Sequence, residues 1–169
     1  MTLDEISAGA KTLITEIHVG PKVKTIAENA LKDAKNLTTV IFDKNAAVES
    51  IGDNAFAESG ITAIVLPESV TEIGTGVLKD CKSLTNASLG NVKEVKEDTF
   101  AGCEALTTVN NTDKWESIGK NALAKTAVTE FVAGDSVKEI AEDAFKDSAL
   151  IMLSVENQNC KFPDAKSEA

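Results

Sequence analysis

The sequence contains no arginine and no tyrosine, and aromatic residues make up only 4% of its 169 residues. All 17 basic residues are therefore lysines, and 27 acidic residues give a formal net charge of −10. The chain lacks the planar guanidinium group that binds phosphate or guanine through two parallel hydrogen bonds, and its negative charge repels polyanions. We therefore expect no nucleic acid partner.

Long apolar runs and an export signal are also missing. No stretch approaches the roughly 20 apolar residues of a transmembrane helix. The first seven residues lack the basic, apolar and small-residue segments of a signal peptide. We expect no direct membrane insertion, and two interpretations of the location stay open: a cytoplasmic protein, or a trimmed region of an exported one.

Cysteine and histidine are scarce, with Cys81, Cys103, Cys160 and the single His18. The three cysteines form no CxxC and cannot all pair with one another, which excludes a disulfide-dense secreted scaffold. No metal-ligand spacing surrounds His18, and no GxSxG, HExxH or glycine-rich phosphate-binding motif occurs. We predict no catalytic site, no metal and no cofactor, and we interpret His18 as a surface residue.

What the sequence does contain is an internal repeat. A large apolar residue, two polar residues and Ile or Val recur six times, with successive starts 25, 22, 22, 23 and 22 residues apart. The starts are Val23, Val48, Val70, Val92, Trp115 and Val137. A unit of this size cannot bury its apolar face alone, so the pattern predicts a stack of about six and a half units.

A small residue and a large apolar residue, such as Ala55 and Phe56, follow each start. The residue before this pair is of a type that favours a turn or the N-cap of a helix. These residues are Asn29, Asn54, Gly76, Asp98, Asn121 and Asp143. We therefore predict one brief helix in each unit.

An L-x-x-L-x-L pattern closes each unit and predicts its strand. Six copies begin at Leu37, Ile61, Leu84, Leu106, Val128 and Leu150, and an upstream copy begins at Ile14. Alternating apolar residues at the last three positions indicate a strand with one buried face. Strands one period apart must lie parallel, which predicts a seven-stranded parallel ladder.

The copy from Val48 to Pro67 shows the repeat most clearly, with Ile51-Gly52, Ala55-Phe56 and Ile64-Val65-Leu66 in place. It resembles the BspA-like, or Treponema-type, leucine-rich repeat, V-x-x-I-G-x-x-A-F-x-x-C-x-x-L-x-x-I-x-L-P. The resemblance implies an α/β repeat fold. This is a right-handed solenoid with a parallel sheet on its concave face and short helices or turns on the other side.

The repeat pattern divides the chain into three parts. Residues 13–155 are the predicted solenoid, and residues 1–12 are a degenerate N-terminal cap or truncated repeat. Residues 156–169 lose the periodicity and are interpreted as a C-terminal cap or a flexible tail. Cys160, within this last part, is expected to be the most exposed and reactive thiol.

The family resemblance also implies a function. Proteins of this kind are similar to secreted or surface-exposed bacterial adhesion and host-interaction proteins. We therefore expect a non-enzymatic, monomeric interaction module at the cell surface or outside the cell, binding a protein ligand such as a host extracellular or matrix protein. The alternative is a structural spacer that presents another domain and binds nothing itself.

The outward positions of successive strands define the expected binding face, because parallel strands place them in rows on the concave sheet. These positions are Glu16, His18, Thr39, Ile41, Ala63, Val65, Asn86, Ser88, Thr108, Asn110, Glu130, Val132, Met152 and Ser154. We refer to them as the predicted face.

Two further columns have structural interpretations. Cys81 and Cys103 share a column with Ala34, Ser59, Thr126 and Ser148, which indicates a small buried position. We interpret the two cysteines as buried free thiols, with a disulfide between neighbouring units as the alternative and zinc as the least favoured one. Trp115 replaces valine in its column, and we expect it to fill a packing gap rather than to stack on a sugar.

Overall fold

The structure is a computed structural model that describes residues 2–3 and 8–162. Within these residues the chain forms fourteen short strands, β1 to β14 in chain order, which alternate between two parallel sheets. Each coil of the solenoid contributes one strand to each sheet. The predicted stack of parallel-stranded repeats is therefore confirmed, while its right-handedness stays a prediction.

The even-numbered strands form the long-strand sheet, which is the sheet predicted to be concave. They are β2 (Glu16–Val19), β4 (Thr39–Phe42), β6 (Ala63–Val65), β8 (Asn86–Ser88), β10 (Thr108–Asn110), β12 (Glu130–Ala133) and β14 (Met152–Val155). All seven predicted strands are present. The predicted continuous ladder is wrong, however, because strand pairing joins only β2 with β4, β6 with β8 and β10, and β12 with β14.

The odd-numbered strands form the short-strand sheet, and from β3 onwards each contains the second polar residue and the Ile or Val of a repeat start. They are β1 (Thr2–Leu3), β3 (Thr25–Ile26), β5 (Ser50–Ile51), β7 (Glu72–Ile73), β9 (Glu94–Val95), β11 (Ser117–Ile118) and β13 (Glu139–Ile140). Strand pairing joins β1, β3, β5 and β7 as neighbours in that order, and it joins β9, β11 and β13 in the same way.

The interior is a single column of aliphatic layers between the two sheets. Its buried residues come from the same positions of every coil; Ile26, Leu31 and Leu37, for example, are fully buried in one coil. The corresponding side chains of the last coil, such as Phe145 and Leu150, are only half-buried. Each layer is therefore covered by the next layer rather than by residues of its own coil.

The segment between the two sheets is built of turns, as one of the two expected alternatives had it, and the brief helix predicted for each unit is absent from the described residues. In the fifth coil the Phe100 amide donates to the Ala122 carbonyl of the following coil at 2.8 Å, while the Ala101 amide donates to Asp98 at 3.1 Å. Alternate amides thus bond to the next coil or three residues back, and none of these bonds has the four-residue spacing of an α-helix. The described residues contain only one α-helix, Ala8–Lys11 (α1), and one 3₁₀ helix, Thr112–Lys114.

Left-handed backbone explains why Asn, Asp and Gly precede the small-large pair. All six residues of that column have φ between 52° and 62°. A second left-handed column follows four residues later, at Asp33, Glu58, Asp80, Gly102, Lys125 and Asp147. Asn, Asp and Gly tolerate this conformation at low cost, so the column marks turns and not helix N-caps.

The repeat continues beyond residue 155, where the sequence indicated that it stops. Lys161 forms a parallel bridge with Glu139, and its amide donates to the Lys138 carbonyl at 2.8 Å, as Lys138 itself donates to Glu116. Cys160 therefore lies in the column of Val137, 23 residues earlier. The predicted flexible tail falls mostly on residues 163–169, outside the described residues.

Candidate functional site

The structure places the predicted face in two rows along the long-strand sheet. Within each ladder the rows are in register: Ala63 lies opposite Asn86, which lies opposite Thr108, and Val65, Ser88 and Asn110 follow the same order. Glu16 pairs with Thr39 and His18 with Ile41 in the first ladder. In the last ladder Glu130 pairs with Met152 and Val132 with Ser154.

One residue of the predicted face is covered. Ser88 is only 4% exposed, and its Oγ accepts a hydrogen bond of 3.2 Å from the Nδ2 of Asn111. The prediction that Ser88 lies on the open surface is therefore wrong, because the residue after β10 folds its amide over the row. Next to it, the Nδ2 of Asn110 donates to the Oδ1 of Asn86 at 2.9 Å and links neighbouring strands.

Apolar side chains stand out from this sheet into solvent. Val65 is 67% exposed, Met152 47%, Val132 45% and Ile41 38%. Single exposed apolar residues are ordinary on protein surfaces. Four of them on one sheet of small polar residues make a surface that can be removed from water at little cost in free energy. The arrangement fits contact with another protein.

Charge is confined to the two ends of the predicted face. The Nε2 of His18 and the Oε1 of Glu16 lie 2.7 Å apart, and both side chains are exposed. Glu130 is the other charged residue of the face. His18 is therefore a surface residue, as the sequence indicated, and the structure adds its contact with Glu16.

A row of threonines along one edge of the face escaped the sequence analysis. In each case the Oγ1 of one threonine donates to the backbone carbonyl of the equivalent threonine one coil earlier, at 3.1 to 3.4 Å. The donors are Thr38, Thr62, Thr85 and Thr107. The threonine that follows the first residue of L-x-x-L-x-L in most copies was the available signal. These side chains extend the polar margin of the predicted face.

The cysteine and tryptophan positions are structural. Cys81 and Cys103 are fully buried and free, which agrees with the first interpretation, and their Sγ atoms donate to the Phe56 and Leu78 carbonyls at 3.1 and 3.0 Å. Burial raises the pKa of both thiols. Trp115 is 1% exposed, with its ring centroid 5.7 Å from that of Phe131, so it packs in the core.

Cys160 is half-buried, which makes it the most exposed of the three thiols, as expected. Its predicted reactivity is not supported, because burial and the charge of Glu139 raise its pKa and thus lower the thiolate fraction.

The short-strand sheet holds a row of ion pairs between neighbouring coils. The carboxylate of Glu116 lies 2.5 Å from the Nζ of Lys138 and 2.8 Å from the Nζ of Lys93. These two hydrogen bonds, with Lys138 the stronger cause, lower the pKa of Glu116 from its usual 4.5 to about 2. Lys24 with Glu49 and Lys96 with Glu94 form further ion pairs along this sheet.

This ion-pair row predicts a specific pH dependence. Because the folded-state pKa of Glu116 is depressed, its stabilising contribution is present above about pH 4.5 and is lost as the pH falls towards 2. We expect an NMR titration of the Glu116 carboxyl carbon to have its midpoint near pH 2, and Glu116→Gln to reduce the acid dependence of unfolding. Glu68→Gln removes the same charge from an exposed residue that has no ion pair among the described residues, and should leave that dependence unchanged.

The remaining surface features of the described residues are a groove and scattered acidic side chains. A groove of about 430 Å³ on the short-strand sheet is lined by Glu72, Ile73, Lys93, Glu94 and neighbouring residues, where Lys96 and Glu94 pair with each other. Across the described part of the chain, no three His, Cys, Asp or Glu side chains are grouped closely enough for a metal ion. The helices among these residues are too short to span a lipid bilayer.

Comparisons with known proteins agree with this geometry. The sequence profile of the BspA type leucine rich repeat region matches residues 24–152 in six copies. A leucine rich cell surface protein from Faecalibacterium prausnitzii is similar in structure, with a TM-score of 0.78 and 26% identity over 92% of this chain and 42% of that one. None of the functionally curated proteins matches.

Two more solved structures share the fold. A leucine-rich repeat protein from Eubacterium ventriosum has a TM-score of 0.67 at 22% identity, over 99% of this chain and 49% of that one. The pneumococcal vaccine antigen PcpA has a TM-score of 0.58 at 19% identity, over 87% and 46%. The chain thus spans less than half the length of each of these proteins. Since the profile covers most of the chain and confirms the resemblance found in the sequence, the chain belongs to the BspA-type leucine-rich-repeat family.

Proposed function

We propose that this chain is a non-enzymatic interaction module that binds a protein ligand on its long-strand sheet, at the cell surface or outside the cell. The observation that carries the proposal is the exposure of Ile41, Val65, Val132 and Met152 on a sheet whose central strands bear no charge in the predicted face. Repeat families of this type commonly mediate protein interaction. The similar protein from F. prausnitzii is described as a cell surface protein, which supports the location.

A polar, nearly uncharged sheet favours particular ligands. The face offers no arginine, tyrosine or tryptophan to anchor a hot spot, so binding must come from shape and from many small contacts. Single sites should therefore be weak, and several tethered copies should gain through avidity. Because the middle of the face is uncharged, we expect its affinity for a protein ligand to depend little on salt.

The test compares two triple lysine variants. The face variant carries Ile41→Lys, Val65→Lys and Val132→Lys, and the control carries Thr71→Lys, Thr75→Lys and Ser83→Lys at exposed positions off the long-strand sheet. Both add three positive charges. We expect binding to immobilised fibronectin, laminin or fibrinogen, measured by surface plasmon resonance, to fall at least about tenfold in the face variant only, because buried lysines would be desolvated.

Two outcomes would contradict the proposal. Equal binding by the face and control variants would show that the long-strand sheet is not the contact surface. Adhesion of producing cells that is unaffected by the face variant would favour a spacer that binds nothing itself. Protease treatment of intact producing cells tests the location, since a surface protein is degraded without lysis and a cytoplasmic one is not.

A further inference from the structure

The long-strand sheet opens between β10 and β12. No strand pairing and no backbone hydrogen bond joins these two strands. Most Cα pairs between them are more than 8 Å apart, whereas paired strands lie about 4.8 Å apart. On the turn side the same two coils remain bonded, for example from the Phe100 amide to the Ala122 carbonyl. The two coils are therefore separated only on the side of the long-strand sheet, since β9 and β11 remain paired in the short-strand sheet.

Large side chains and an extra residue lie beside the opening. Trp115 stands in a column that holds valine in the five other starts, and Phe131 stands in a column of smaller aliphatic residues. Their rings pack against each other in the sixth coil, and Phe131 also packs against Phe145 at 5.2 Å. The 3₁₀ helix Thr112–Lys114 precedes Trp115 and interrupts the path of the chain after β10.

The exposure of Val109 shows that the gap is accessible. In the neighbouring coils the same inward position, Ile64, Ala87 and Phe131, is buried. Val109 belongs to an internal coil and yet is only half-buried. The equivalent residues with this degree of burial are Ile17 and Leu153, which lie on the two outermost long strands. Its side chain is thus uncovered on the side where β12 would lie.

Both edges of the gap present unpaired backbone groups. Thr129 accepts from Ile151 on the β14 side, and main-chain groups alternate along a strand, so those of Glu130 and Val132 face the gap. Thr108 donates to Thr85 on the β8 side, which turns the groups of Val109 towards the gap. Within the described part of the chain, the Val132 carbonyl alone among these groups has a partner there, the Oγ1 of Thr112 at 3.4 Å.

We propose that the gap between β10 and β12 is a docking site for an extended peptide segment that carries lysine or arginine side chains. The segment hydrogen-bonds to the free strand edges, as in other cases of strand addition. Its basic residues face the exposed carboxylate of Glu130 at the start of β12, while the nearby carboxylate of Asp113 is already paired with the Nζ of Lys114 at 3.7 Å. This inference rests on the proposed function, since the gap lies within the proposed binding sheet.

The experiment uses amide hydrogen exchange with a synthetic probe. The probe is the hexapeptide Thr-Lys-Val-Thr-Val-Lys, and its control replaces both valines with proline, which cannot donate a backbone hydrogen bond. We expect the amides of Val109 and Val132 to exchange at least about tenfold more slowly with saturating probe. Those of Phe131 and Ala133, which face β14, should not change, and the proline peptide should protect none.

Charge reversal supplies the matched variants. Glu130→Lys should weaken probe binding about two- to fivefold, the range for one exposed ion pair. Glu68→Lys makes the same charge reversal at an exposed residue outside the long-strand sheet and should have no effect. No slowing at Val109 and Val132 with millimolar probe, or an equal loss in both variants, overturns the inference.

The outcome also separates this inference from the proposed function. Protection that appears at Val65 and Asn86 instead of at the gap would keep the sheet as the binding surface and reject the docking site. If the amides at the gap are protected but the face variant binds the matrix proteins as well as the parent chain does, the proposed function is rejected and the docking site is retained.

Discussion

Phe100→Ala is expected to lower the free energy of unfolding by about 3–5 kcal/mol, the range for removing a fully buried phenylalanine side chain. Phe100 is 0% exposed, and it is the large apolar residue of the small-large pair in an internal coil. Coils lie on both sides of it, so the cavity left by alanine cannot be filled from solvent. Urea denaturation of the variant and the parent chain measures the loss.

The last coil provides the control for this prediction. Phe145 occupies the same column but is only half-buried, since no further coil covers it in the described residues. Phe145→Ala should therefore cost about 1–2 kcal/mol, roughly in proportion to the apolar area it buries. Equal losses at the two positions would contradict the stacked-layer account of stability.

The second large effect is expected at Gly90, which follows β8. Its φ is +65°, and a Cβ placed there would lie 2.3 Å from the Pro67 carbonyl oxygen of the preceding coil. Gly90→Ala combines left-handed backbone strain of about 1–2 kcal/mol with overpacking of about 1–3 kcal/mol. We expect a total loss near 3 kcal/mol in urea denaturation.

Gly20 is the matched control because it follows β2 at the same position of its coil. Its φ is not left-handed, and an added Cβ would meet only the Asp43 carboxylate at 3.8 Å. Gly20→Ala should leave stability unchanged or raise it by about 0.5 kcal/mol through the unfolded chain. A loss at Gly20 as large as at Gly90 would show that the close approach of coils at Gly90 is not the cause.

The positions of the long strands could be predicted from the sequence because buried and exposed residues alternate regularly along them. The apolar positions held by Ile61, Ile64 and Leu66 recur with the same spacing in the other coils, with Asn111 as the polar exception, and burial of one face forces that alternation. The turn segments were misread because Asn and Asp serve equally well as helix N-caps and as left-handed residues. The second left-handed column, which includes Glu58 and Lys125, has no residue preference that would have separated the two interpretations.

The site could be predicted as rows but not as a surface. Periodicity places Ser88 on the outward side of β8, yet it cannot show that Asn111, two residues after Val109, folds back over it. Trp115 and Phe131 pack against each other beside the opening at β10. Each substitution is visible in its own column, but their contact across the core is not a local property of the sequence.

The most direct test of the account concerns the bonds that join one coil to the next. Scalar couplings across hydrogen bonds, measured by NMR, identify which carbonyl accepts from each amide. The account predicts couplings from the Phe56 amide to the Val77 carbonyl and from the Phe100 amide to the Ala122 carbonyl. Couplings to the carbonyl four residues earlier would instead show helices in these segments and contradict the solenoid described above.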